Sequence, residues 1–192
     1  MKISPYKIIL GSNSPRRKEL LSGIDVEYEV RTLPDIEEQF PKNMNPTKVP
    51  EYLAQKKAAA YSHKMNDEIL LITADTVVIL DDVIYGKPAD KQEAQQMLRK
   101  LSGKTHVVIT GVCLTTSRKQ TTFSDTSFVT FAPLSNEEID YYLNNYLPLD
   151  KAGAYGVQEW IGYVAVDKIE GSYYNVMGLP ISKVYRELKN FS

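Results

Sequence analysis

Two arginines, Arg16 and Arg17, follow a serine-proline pair in the stretch GSNSPRR. Ser14 suits an N-cap and Pro15 the first helical position, so a helix is expected to start here. The first turn of a helix carries partial positive charge and ordinarily favours Asp or Glu. Two fixed cations at that place make sense if an anion sits there. With Ser12, Asn13 and Ser14 ahead of it, such a terminus aims backbone N–H groups at an anion, and hydroxyls and guanidinium groups can complete the cradle. The plainer alternative is a solvated helix whose arginines face water or pair with an acid such as Glu19. The segment has neither GxxxxGK[ST] nor GxGxxG, so neither a P-loop nor a Rossmann fingerprint applies.

Asp75 is the second candidate. It interrupts the apolar stretch LLITADTVVI, where a carboxylate is costly unless paired, hydrogen-bonded or metal-bound. It could orient or deprotonate a water, or it could be a turn residue at a strand end. His63 and His106 lack metal-ligand spacing and read as ordinary surface or structural residues. Cys113 is the single cysteine, which excludes an internal disulfide and every multi-cysteine zinc site. Trp160, Tyr155, Tyr163, Tyr173 and Tyr174 could stack on a base, although core packing or a dimer contact is the commoner use of aromatics.

Such residues need a scaffold, and strand and helix patterns alternate along the chain. Lys7–Leu10 reads as a short apolar strand, Pro15–Ser22 as a helix closed near Gly23, and Val26–Arg31 as a half-buried strand. A long loop from Leu33 to Pro46 precedes a helix over Pro50–Ser62. Leu70–Leu80 is β-forming with an interruption at Thr73–Thr76, and Asp81-Asp82 turns it into Val83–Tyr85. Asp90 with Glu93 starts a helix with the stripe Ala94, Met97, Leu98 and Leu101, ended by Gly103. Val107–Thr116 and Thr121–Phe131 form an antiparallel pair around Ser117-Arg118. Ser135 with Glu138 caps a helix to about Asn145; a strand over Tyr163–Ile169, a turn at Glu170-Gly171 and a helix over Ile181–Lys189 follow. Antiparallel pairs beside crossover helices predict an α/β fold, a mixed sheet flanked by helices.

At 192 residues the chain is expected to form one large domain, 1–192, with room for two lobes and a substantial core. The formal net charge of −1 gives no global attraction to nucleic acid or anionic membrane, so an anion must be captured locally. The N-terminus, MKISPYKIILGS, has too short an apolar run for a signal peptide or a span. A soluble, cytoplasmic protein is expected.

The blocks SNSPRR, ADTVV from Ala74, GKP from Gly86, LSGKTHVVITGV from Leu101, DKAGAYGVQ from Asp150 and GSYYNVMGLP from Gly171 resemble the Maf family of nucleoside triphosphate pyrophosphatases. The resemblance runs in order from residue 8 to about residue 185. It implies hydrolysis between the α- and β-phosphates, giving a nucleoside monophosphate and pyrophosphate, with a divalent metal (Mg2+, Mn2+ or Co2+). It also implies a mixed, twisted sheet like that of the inosine triphosphate pyrophosphatases, with a central cleft. The role is nucleotide-pool cleaning or one linked to cell division, and a homodimer is compatible with it.

By the same resemblance, Ser12, Arg16 and Arg17 seat the polyphosphate, and Asp75 matches the family's proton acceptor. Lys57 and Lys87 become cations for the leaving pyrophosphate. Lys57 would otherwise be a solvated helix lysine, whereas Gly86 and Pro88 hold Lys87 on a tight segment near a strand end. Glu38, beside Glu37 and near Asp35 in DIEEQ, becomes a metal ligand together with Asp75; alone, that acidic run would read as solvated.

Three positions divide the family by base. Arg16, Thr76 and Gln158 match the group that cleaves dTTP and UTP, and a glutamine amide suits the donor–acceptor edge of a pyrimidine-dione. Glu159 and Trp160 stand where the family more often has glycine. Two other readings are kept in view: a pyrophosphatase for a methylated guanine nucleotide, and a nucleotide-binding regulator of septum formation that does not need turnover.

Overall fold

The computed structural model describes residues 3–34 and 36–191; Asp35 of the acidic run lies outside the described residues. The elements in chain order begin with β1 (Lys7–Leu10), α1 (Pro15–Ser22), β2 (Tyr28–Val30), α2 (Val49–Ala59) and β3 (Ile69–Leu80). Next come β4 (Val83–Tyr85), α3 (Lys91–Leu101), β5 (Thr105–Thr115), β6 (Gln120–Phe131) and α4 (Asn136–Tyr146). The chain finishes with α5 (Trp160–Ala165), β7 (Val166–Glu170), α6 (Tyr173–Met177) and α7 (Ile181–Asn190). The strand order is β2-β1-β3-β5-β6-β7, with β4 paired to β3. β1 is parallel to β2 and to β3, while β3–β4 and β6–β7 are antiparallel. The expected mixed sheet flanked by helices is what forms.

Two compact units divide the chain. The first comprises Met1–Asp75, Thr110–Asp125 and Gly178–Ser192; the second comprises Thr76–Ile109 and Thr126–Met177. In the first, β1 is flanked on both edges by parallel strands, and its Ile8, Ile9 and Leu10 are all buried, which is why the strand is continuously apolar after the exposed Lys7. Ile9, Leu71 and Cys113 pack with Ala54, Ala58 and Tyr61 of α2 and the turn after it. The approach of α2 to β5 is very close: a Cβ placed on Gly111 would lie 2.3 Å from the Pro50 carbonyl carbon. Only glycine permits that contact.

In the second unit the α3 stripe Ala94, Met97, Leu98 and Leu101 is buried as patterned. Asp90 caps α3 by accepting from the Glu93 N–H, but the Glu93 carboxylate reaches back to the Ala89 N–H. Ser135 and Glu138 form a complete capping box on α4. His106, Phe131 and Tyr155 make a buried aromatic trio with edge-on contacts.

Two expectations need correction. β3 runs unbroken through Thr73–Thr76. Its polar residues are satisfied sideways, Thr73 Oγ1 donating to the Ala54 carbonyl at 2.7 Å and Asp75 pairing with Lys57, so the backbone ladder continues. The stretch Tyr163–Ile169 is not one strand: α5 holds residues to Ala165 and β7 begins at Val166. Ile161 and Ala165, four residues apart, are both fully buried, a helical spacing within a run too uniformly apolar to show it. The short α6, five residues long, is not among the elements the sequence pattern predicts.

Candidate active site

The loop after β1 delivers the chain to α1 as its pattern predicts. Ser14 is the N-cap and its side chain accepts from the Arg17 N–H, with Pro15 in the first turn. Ser12 Oγ accepts from the Ser14 N–H at 3.2 Å and from Arg17 Nη1 at 3.4 Å, so the serine closes the loop on itself. Arg16 is half-buried in the same turn.

Arg17 does more than wait for an anion. Its Nε donates to the Gly178 carbonyl and its Nη1 to the Ala74 carbonyl, both at 2.8 Å. Burial moves this guanidinium below its ordinary pKa, Asp75 opposing the shift. The arginine therefore ties α1 to the backbone immediately before Asp75. Its place at a positive helix end suggests no contribution to folding, and the two carbonyl bonds overturn that expectation.

Asp75 lies on β3 with 7% of its surface exposed. Lys57, in the last turn of α2, brings its ammonium to 2.6 Å from Asp75 Oδ1 and 2.9 Å from Glu38 Oε1. Lys57, an unremarkable helix lysine in sequence, thus joins the two carboxylates expected to bind metal. Glu37 is exposed. Among the described residues no group of three His, Cys, Asp or Glu side chains is placed to hold a metal ion. Ser12, Arg17, Glu38, Lys57 and Asp75 are thus linked within the first unit.

The remaining predicted residues belong to the second unit. Thr76 follows Asp75 on β3 and is half-buried. Lys87 is exposed just beyond β4, and the preceding Gly86 carbonyl accepts from the Gly153 N–H at 3.1 Å. That bond joins the Lys87 segment to the stretch leading to Gln158. Gln158 occupies a turn closed by the Glu159 N–H on the Gly156 carbonyl at 2.9 Å, and its buried Oε1 has no hydrogen-bond partner among the described residues.

The aromatic residues do not form one stacking surface. Tyr155 is in the core trio, Trp160 lies 4.8 Å from Tyr141, and Tyr173 contacts Tyr174. His106 is a structural residue: fully buried, it bonds Tyr155 through Nε2 at 2.7 Å, and burial holds its pKa down at about 4.

Sequence reasoning missed a second ionic cluster. Lys151 lies 3.1 Å from Glu159 Oε1 and 2.8 Å from Asp150 Oδ1, and the other Glu159 oxygen accepts from the Tyr142 hydroxyl. The departure from glycine at Glu159 was its only signal.

The mixed sheet with helices on its faces defines an α/β protein, and its first unit gathers arginine and serine at a helix N-terminus beside an acid held by lysine. The chain matches the family model described as Maf-like protein over residues 7–191 and belongs to that family. A relative from Porphyromonas gingivalis, named dTTP/UTP pyrophosphatase, is 60% identical over 98% of this chain and 96% of its own. One of the same name from Phocaeicola vulgatus is 60% identical over 97% of each chain. A solved Ham1 protein from Staphylococcus aureus has the same fold, with a TM-score of 0.56 at 17% identity over 96% of this chain and 98% of its own.

Proposed function

We propose that this chain is a nucleoside triphosphate pyrophosphatase that cleaves dTTP and UTP to the monophosphate and pyrophosphate. The observation that carries the reading is the Lys57 ammonium shared by Asp75 and Glu38, on a chain 60% identical to a dTTP/UTP pyrophosphatase. The match of one family model across both units supports treating 1–192 as one functional domain.

In this reading Asp75 accepts the proton of a water whose oxygen forms a bond to the α-phosphorus. The bond from that phosphorus to the bridging oxygen breaks, and pyrophosphate leaves with the electron pair. Ser12, Arg16, Arg17, Lys57 and Lys87 supply donors and positive charge to the polyphosphate. Lys57 exchanges its carboxylate partners for phosphate oxygens as substrate arrives. Thr76, Arg16 and Gln158 select the base.

Glu38 and Asp75 already converge on one cation, the ammonium, and carboxylate oxygens suit a hard divalent ion that keeps waters and takes phosphate oxygens. These two residues would hold Mg2+, Mn2+ or Co2+, which when bound neutralises charge on the triphosphate. No described helix is long and apolar enough to cross a membrane.

The test is a panel of triphosphates, including ATP, GTP and 7-methyl-GTP, assayed for pyrophosphate and monophosphate. Pyrophosphate from dTTP and UTP in excess of the others is expected. Release of orthophosphate, or preference for 7-methyl-GTP, would refute the assignment. dTTP recovered intact after hours with magnesium or manganese would instead favour the binding regulator.

A further inference from the structure

The turn bearing Gln158 is clamped at both ends by one side chain. Tyr142, buried on α4, accepts from the Gly156 N–H at 3.0 Å and donates to the Glu159 carboxylate. Gly156 and Glu159 are the first and last residues of the turn, and Gln158 lies between them. Lys151 takes the other Glu159 oxygen at 3.1 Å, with only 11% of its side chain exposed. The carboxylate lies flat on Gly156: a Cβ there would meet Glu159 Cδ at 2.8 Å and Lys151 Cε at 3.0 Å. Glu159 also caps α5, its carbonyl accepting from the Gly162 N–H at 2.9 Å.

So much fixing surrounds a carboxamide whose own oxygen is buried and unpartnered among the described residues. A buried acceptor left unpaired is costly. A native fold sustains such a cost where a ligand completes the bond.

We propose that Glu159, with Tyr142 and Lys151, is a positioning residue for base selection. It holds the turn so that the Gln158 oxygen accepts from the ring N–H of a pyrimidine-dione while the amide nitrogen donates to a flanking carbonyl. This rests on the dTTP/UTP reading above. A bent or loosened turn would move both amide atoms together and spoil a two-point contact that leaves the phosphate grip unchanged. A glycine at this place could not form the clamp.

The experiment measures kcat and KM for UTP and for ATP in the wild type, Tyr142→Phe, Glu159→Ala and Glu159→Gln. Tyr142→Phe and Glu159→Ala are expected to raise the UTP KM on the order of tenfold, with kcat held within about threefold and the ATP constants little changed. Glu159→Gln, which keeps an acceptor for the Tyr142 hydroxyl, should recover part of the UTP preference. Loss of kcat in equal proportion on UTP and ATP would assign the cluster to fold stability alone and overturn the proposal, as would unchanged constants. If Glu159→Ala fails to fold, Tyr142→Phe and Glu159→Gln decide by the same measure. A wild type with no preference for UTP over ATP would remove the base-reading role of Gln158, and the clamp's purpose with it.

Discussion

Each unit contains a lysine shared by two carboxylates, and the two differ in what else holds the acid. Lys57 bridges Asp75 and Glu38 at 2.6 and 2.9 Å; Lys151 bridges Asp150 and Glu159 at 2.8 and 3.1 Å. Both ammoniums are sheltered, and so are the Asp75 and Glu159 carboxylates they hold, whereas their second partners, Glu38 and Asp150, are exposed. Glu159 is locked further by the hydroxyl of Tyr142 on α4, which also grips Gly156 at the other end of the turn. Asp75 is held by a lysine whose other proposed partner is substrate phosphate. On the proposed function, the same ion-pair chemistry is a latch at Lys57, while at Lys151 it is a fixture.

The largest expected effect breaks the latch. Asp75→Asn preserves shape and removes the proposed proton acceptor, so turnover of every nucleotide should fall about 10²–10⁴-fold, with triphosphate binding largely kept. Retention of more than about a third of wild-type turnover would take Asp75 out of the mechanism.

A second effect tests an interior group with no ion pair at all. His106 has its pKa lowered by burial to about 4 from an ordinary 6.5, so the native state stays neutral where the unfolded chain takes up a proton. Stability should therefore be full above pH 6.5, fall as the pH drops through that value, and level off below about 4. The full loss is about 3 kcal/mol. His106→Gln, which retains a partner for Tyr155, should flatten the pH dependence of the denaturation midpoint; identical pH profiles would show another group in control.

Arg17→Ala should lower stability by about 2 kcal/mol, because it removes the two donors that hold the Ala74 and Gly178 carbonyls. It should also weaken triphosphate binding. A variant as stable as wild type to urea would return Arg17 to a purely ligand-facing role.

The smallest effect sharpens the contrast from the base side. Gln158→Glu replaces the amide donor and should cut dTTP and UTP turnover on the order of tenfold relative to purine triphosphates. An equal loss on all nucleotides would place Gln158 in the support of the fold.

What could be read beforehand follows from which residues break a local rule. Arg16 and Arg17 on a positive helix end and Asp75 within an apolar strand each violate an expectation, so each is visible without coordinates. The caps at Ser14, Asp90 and Ser135 are equally legible, because side-chain capping is local. Partners distant in the chain are not. Nothing in Tyr142, a buried aromatic beside Ile139 and Leu143, announces that its hydroxyl holds a turn 14 residues away. The carbonyls of Ala74 and Gly178 have no side-chain signature either. The helical half of Tyr163–Ile169 was hidden by apolar uniformity, which leaves no period to count.

Gly111 acquires a mechanical meaning from this. The backbone of Pro50 and Glu51 rests against it at the start of α2, and Lys57 lies six residues beyond Glu51, about 9 Å along the axis at 1.5 Å per residue. The glycine is the fulcrum of a lever whose far tip carries the ammonium. A methyl group there must lift the near end, and a tilt of about 6° displaces the tip by about 1 Å, enough to part an ammonium from its carboxylate. A residue with no functional group of its own thus sets the gauge of the charged centre, and its replacement would be felt first as an error of alignment.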